Sequence, residues 1–219
     1  MSVLDGIARR WAEDQIRQRA ESYYPSSRVL ARIRSERFLR PLVRRGTVSD
    51  LEVALFDAEV NTDDAVVRLR RIILDLYEVT IRRRDLLQGR IRLKDLGSGR
   101  VDVEIDGPSL AAAVGLPLVF HEDEVEIRRG VGPLSVSARG ALSVDDDVLR
   151  FRPGTVQGVP LLVSMDFEFR LPTSPVWPRA AEVRSIEGGL VLTCDLKDVP
   201  PGLIAPRREG VQRAGGGRG

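Results

Sequence analysis

Two rhythms of apolar residues run along this chain, and each change of rhythm marks an element. Over residues 3–21, Leu4, Ile7, Ala8, Trp11, Ala12 and Ile16 fall on one side of a helix, with Arg9, Arg10, Glu13, Asp14, Arg17 and Arg19 on the other. That three-to-four-residue spacing predicts an amphipathic helix. Tyr23-Tyr24-Pro25 ends it, because the residue before proline avoids helical backbone. From Arg28 the period becomes two, with Val29, Ala31 and Ile33 alternating with Arg28, Leu30, Arg32 and Arg34. Residues 48–60 continue it, and residues 66–81 form a long aliphatic run with no glycine or proline. A straight strand of that length would run to roughly 50 Å, so it has to bend or twist. Further strands are expected at 90–96 and 100–105, joined as a hairpin by Gly97-Ser98-Gly99. Others are expected at 125–128, 134–144, 148–156, 164–171, 180–186 and 190–196, with turns at Asp145-Asp146-Asp147 and Glu187-Gly188-Gly189. Turn signals this frequent, with few long helices, predict a mainly antiparallel sheet.

Three short apolar segments interrupt the strands. They run from Phe38 to Gly46, from Arg84 to Arg90 and from Gly107 to Gly115. Each holds a few apolar residues at helical spacing and meets a glycine at or near its end, where left-handed backbone is easiest without a Cβ. These segments are expected to be short plug helices, lining or capping one shared apolar interior. Long strands closed by small greasy helices suit holding an oily molecule better than carrying out a reaction.

Composition narrows the reading. The chain has 219 residues, 42% hydrophobic and 5% aromatic, so it can bury a core built mainly of Val, Leu, Ile and Ala. Its formal net charge is +2, which argues against a dedicated nucleic-acid binder. Only Lys94 and Lys197 are lysine, so nearly all the positive charge is arginine. Arginine runs recur at 44–45, 70–71, 82–84 and 128–129. A solvated face explains such runs. The functional alternative is a basic rim for anionic lipid heads, since arginine offers phosphate two-point contacts that lysine does not.

Cys194 lies in an alternating apolar run and is the single cysteine, so a buried thiol is expected and no internal disulfide. No secretory leader is read at residues 1–7, and no apolar run reaches the ~20 residues of a membrane span. On those grounds a cytoplasmic protein is expected, peripheral on the membrane. Residues 206–219 are mostly Arg and Gly and are expected to be disordered.

Catalytic and metal-binding constellations are not found. His121-Glu122-Asp123-Glu124 holds the single histidine, with no second one to complete a metal set, and reads as a solvated turn. Asp145-Asp146-Asp147 lacks the spaced ligands and closing glutamate of a calcium loop. Gly130-Val131-Gly132 and Gly97-Ser98-Gly99 are not followed by the remainder of a nucleotide-binding loop. Neither enzyme, cofactor nor metal is expected.

Taken in order, several pieces carry a family likeness. These are Phe38-Leu39 with its plug, the strand ending Leu74-Asp75-Leu76-Tyr77-Glu78-Val79, the stretch Arg84-Asp85-Leu86-Leu87-Gln88-Gly89-Arg90, the helix at Leu110-Ala111-Ala112-Ala113, the Leu171-Pro172 loop and the closing Gly188-Gly189-Leu190-Val191-Leu192. In that order the chain resembles the actinobacterial LmeA-like phospholipid-binding proteins. The resemblance implies a non-catalytic phospholipid binder that supports cell-envelope lipid or glycan assembly, with a curved sheet similar to tubular lipid-binding domains. Many members of the family carry an N-terminal signal or anchor, which is not read here.

The domain reading is therefore an amphipathic helix at 1–24, a lipid-binding domain at 25–205 and a tail at 206–219. The fold expected is mainly β (α+β), a long curved antiparallel sheet with an N-terminal helix and plug helices. Phe38, Leu39, Leu42, Val43, Leu86, Leu87, Leu110 and Val114 are the candidate apolar lining. Arg44, Arg45, Arg84 and Arg90 are the candidate headgroup ligands, and Trp11 the candidate membrane-surface residue. The N-terminal helix packs on the sheet or lies in a headgroup layer. The alternative to lipid binding is a structural or interaction module with a closed core. An enzyme of envelope lipid metabolism would need a polar constellation that the sequence does not offer.

Overall fold

The computed structural model describes residues 3–61, 66–82, 84–85, 93–95, 97–131, 134–145, 148–157, 167–171 and 182–197. Helix α1 (Val3–Tyr23) is followed by β1 (Arg28–Ile33), α2 (Leu39–Arg45), β2 (Thr47–Asn61) and β3 (Val66–Ile81). Next come β4 (Leu93–Asp95), β5 (Ser98–Asp106), α3 (Gly107–Val114) and β6 (Leu118–Phe120). Then β7 (Val125–Val131), β8 (Leu134–Asp145), β9 (Val148–Gln157), β10 (Phe167–Arg170), β11 (Glu182–Ile186) and β12 (Gly189–Lys197) complete the described residues. The protein is mostly β, with a curled antiparallel sheet.

The strands divide into two sheets. The larger has the order β1-β2-β3-β5-β12-β11, with β4 also paired to β3. The smaller has the order β10-β9-β8-β7-β6. The period-two pattern becomes the core directly. On β5 and β12, Val101 faces Cys194, Val103 faces Leu192 and Ile105 faces Leu190, and all six are buried. On the smaller sheet Val125, Ile127, Val136, Ala138, Leu149 and Phe151 are buried in the same way. The apolar faces of both sheets join one contiguous core. The outer face of the larger sheet is polar and carries cross-strand ion pairs such as Arg71–Glu104 and Arg34–Glu52.

One expected element is different. Gly97-Ser98-Gly99 does not turn a hairpin. β4 and β5 lie in line along one edge of β3, with Thr80 opposite Asp95 and Tyr77 opposite Ser98. A Cβ on Gly97 would meet the Glu78 Cβ at 3.0 Å, and one on Gly99 would meet the Asp75 carbonyl oxygen at 2.9 Å. Glu78 itself has φ 55°. The glycines thus allow close approach past an irregularity in β3, the use a strand makes of glycine where no chain reversal is needed.

Helix α1 also differs in which face it buries. Ala12 is buried and Ala8, Ile16 and Ala20 pack against the core, whereas Leu4, Ile7 and Trp11 are exposed. The expected apolar side is split in two, because the inward positions are held by small residues and by polar contacts described below.

The junction between the sheets is held by the Ser185 hydroxyl, whose one proton is shared between two carbonyls, and by a backbone bond. The Ser185 hydroxyl donates to the carbonyl oxygens of His121 (2.8 Å) and Glu124 (3.0 Å), and Asp123 N–H donates to Ser185 O (3.1 Å). This fixes the β6–β7 turn against β11. Residues 206–219 lie outside the described residues.

Candidate functional site

The plugs are local consequences of sequence. In α3, the Asp106 side chain accepts from Ser109 N–H (3.1 Å) at the helix start, Pro108 occupies the first turn, and Gly115 closes the end at φ 71°. Each feature is a standard helix signal. Helix α2 has no side-chain cap from its own first residue, Phe38, but it ends on Gly46 at the same φ of 71°. Its start is capped from elsewhere. The Asp5 carboxylate on α1 accepts from Leu39 N–H (2.7 Å) and Phe38 N–H (3.1 Å). For the middle plug, Arg84 and Asp85 are helical, while Leu86, Leu87 and Arg90 lie outside the described residues.

The two described plugs are tied to opposite ends of β3. At one end Ile81 N–H donates to Gly46 O (2.6 Å), just past α2. At the other, Arg70 makes two hydrogen bonds to Asp106, at 3.0 and 2.8 Å, and Ser109 Oγ accepts from Arg68 N–H (3.0 Å). Arg68 and Ile81 are 13 residues apart along the strand, roughly 40 Å if it were straight. Both plugs nevertheless bury side chains in the one core: Phe38 and Leu42 from the α2 end, Leu110 from α3. Leu39 and Val114 are half-buried against it, and Val43 is exposed.

The candidate arginines are gathered at one end. Arg44 and Arg45 are exposed in the last turn of α2, and Arg84 is exposed three residues beyond Ile81. The bond from Ile81 to Gly46 brings these two segments together. α3 itself contains no arginine; the arginines at its end, Arg68, Arg70 and Arg71, lie on β3 and are paired with Glu59, Asp106 and Glu104.

Two features went unread in the sequence. The first is a half-covered apolar strip on the smaller sheet. Leu142, Val144, Phe167 and Phe169 are only partly buried, and the Phe151 and Phe167 rings stack with centroids 5.7 Å apart. The signal was present: Leu149-Arg150-Phe151-Arg152 and Phe167-Glu168-Phe169-Arg170 alternate apolar residues with charged ones. The second is Glu126, a carboxylate buried on β7. Arg128 Nε donates to it at 2.8 Å, Arg139 approaches at 3.2 Å and His121 Nε2 lies at 3.6 Å. The Arg128 hydrogen bond holds the Glu126 carboxyl below its ordinary value, against an opposing push from burial, with Arg139 adding to the depression. The same pairing raises Arg128. Elsewhere on the surface Asp102 raises Arg100, and Glu168 with Asp145 raises Arg150.

Among the described residues there is no group of three or more His, Cys, Asp or Glu side chains that could hold a metal ion. No helix among the described residues is long and apolar enough to cross a membrane. What the geometry offers is a long apolar interior, a helix at each end of it, arginines at one end and an incompletely covered strip on the smaller sheet.

The comparisons agree with that chemistry. A protein-family model described as LmeA-like phospholipid-binding matches residues 3–210. No curated protein and no solved structure matches the chain.

Proposed function

Since the chain belongs to the LmeA-like phospholipid-binding family, we propose that it holds a phospholipid without changing it chemically. The acyl chains lie against the apolar face the two sheets share, entering over the half-covered strip. The phosphate rests on the arginine rim of Arg44, Arg45 and Arg84. The observation that carries this reading is the apolar interior closed at both ends of β3 by short helices, through Phe38 and Leu42 at one end and Leu110 at the other. Helices this short have little stability of their own, so each depends on its few core contacts and can yield to a ligand. Burial of acyl surface contributes about 0.8 kcal/mol per CH₂, so such a site needs few polar contacts. The rim supplies the charge-assisted bonds that favour a phosphate.

In the cell this places the protein at an anionic membrane surface, in the supply or sensing of lipid for envelope lipid or glycan assembly. Nucleic acid is not its partner.

The full burial of Phe38, Leu42 and Leu110 favours one other reading, an interaction module with a permanently closed core. Titration of the whole chain with a fluorescent acyl-labelled phosphatidylglycerol separates the two. Saturable binding, weakened when Arg44 and Arg45 are both changed to Gln, supports the lipid site. Absence of binding to any labelled phospholipid supports the closed module.

A further inference from the structure

The inward face of α1 is polar and small. Asp5 caps α2, the Arg9 guanidinium donates to Ser35 O (2.5 Å), and the Glu13 carboxylate accepts from Ile33 N–H (2.8 Å). These three residues, four apart, grip the backbone between β1 and α2, and Ala12 fills the space between helix and sheet. The larger apolar side chains face the other way. Val3, Leu4, Ile7 and Trp11 are 79%, 69%, 61% and 38% exposed. Their spacing sets them on one stripe of the first turns. Val43, on the neighbouring α2, is 65% exposed. A stripe of exposed apolar side chains such as that on α1 marks an interaction surface.

Charge identifies the occupant. α2 carries Arg40, Arg44 and Arg45, all exposed, and no acidic residue. Arg82 and Arg84 are exposed just beyond β3, at the same end. A second copy of the chain would bring these arginines against their own kind. An anionic bilayer takes the apolar stripe into the acyl boundary and sets phosphates against the guanidiniums, with tryptophan at the interface. We propose that the outer stripe of α1, with α2 beside it, is the surface by which the protein docks on an anionic phospholipid bilayer. Its apolar stripe lies outside the lipid-holding interior, whereas Arg44, Arg45 and Arg84 stand on the rim of both. The choice of partner rests on the phospholipid-binding reading.

The test uses the full chain with Trp177→Phe, which leaves Trp11 as the single tryptophan. Phosphatidylcholine vesicles with phosphatidylglycerol should shift Trp11 emission to the blue, and brominated acyl chains should quench it. Vesicles of phosphatidylcholine alone should do so far less. Leu4→Asn with Ile7→Asn should lower vesicle partitioning at least about tenfold while leaving the melting temperature and any co-purified lipid unchanged. Unquenched Trp11 with the chain bound to vesicles overturns the proposal. So does unaltered partitioning of the double variant, or a dimer that the double variant dissociates. Loss of the lipid-holding function alone leaves the docking result intact, because co-purified lipid and vesicle partitioning are read separately.

Discussion

At the scale of single residues, two buried carboxylates carry most of the specific polar chemistry. Glu126 is held ionised by Arg128 and Arg139. A depressed carboxyl contributes stability that is present above its ordinary value of 4.5 and is lost as pH falls through its lower folded value. Glu126→Gln should therefore lower the melting temperature at neutral pH, and the gap from the parent should close as pH falls below about 4. A gap constant from neutral pH to pH 3 would contradict this assignment. Asp5 is the second. It lies on α1 yet supplies the start of α2 with the acceptor that Phe38 does not. Asp5→Ala should cost about 1–2 kcal/mol in denaturant unfolding, and Asp5→Asn less, because its amide oxygen can still accept.

At the scale of elements, what was legible in the sequence was what depends on neighbours along the chain. The unbroken run from Val66 to Ile81 became β3 with the same limits. Gly46 and Gly115 stop their helices in the left-handed conformation that their positions implied. What was not legible depends on residues far apart. Whether Gly97 turns the chain or lets it pass is decided by close approach to Glu78, a positive-φ residue on another strand. Which side of α1 faces inward is decided by backbone groups at residues 33–39, so the largest apolar residues of the helix proved the wrong guide. The Glu126 site was hidden in part for the same reason: Arg128 is a near neighbour on β7, but Arg139 reaches Glu126 only through the β7–β8 register and His121 from the turn after β6. Gly107 shows how tightly such contacts fit. A Cβ there would lie 2.6 Å from Gly188 O and 2.7 Å from the Phe120 ring. Gly107→Ala should destabilise by about 1–3 kcal/mol and loosen the α3 end first, read as faster amide exchange at residues 107–114 than at β3.

At the scale of the whole molecule, the two sheets share one core, short helices stand at either end of β3, and α2 carries exposed arginines at one of those ends. The sequence order of the plugs suggested a common interior. The two described plugs stand at opposite ends of β3, and Phe167 and Phe169 are among the side chains only partly buried against the core. The central claim is that this interior holds phospholipid. Native mass spectrometry of the full chain, released from membranes by mild detergent, tests it most directly. The account predicts a population heavier than the bare chain by the mass of one phospholipid, with the lipid identified on dissociation. A chain that emerges bare, and stays bare after incubation with phosphatidylglycerol vesicles, would contradict it.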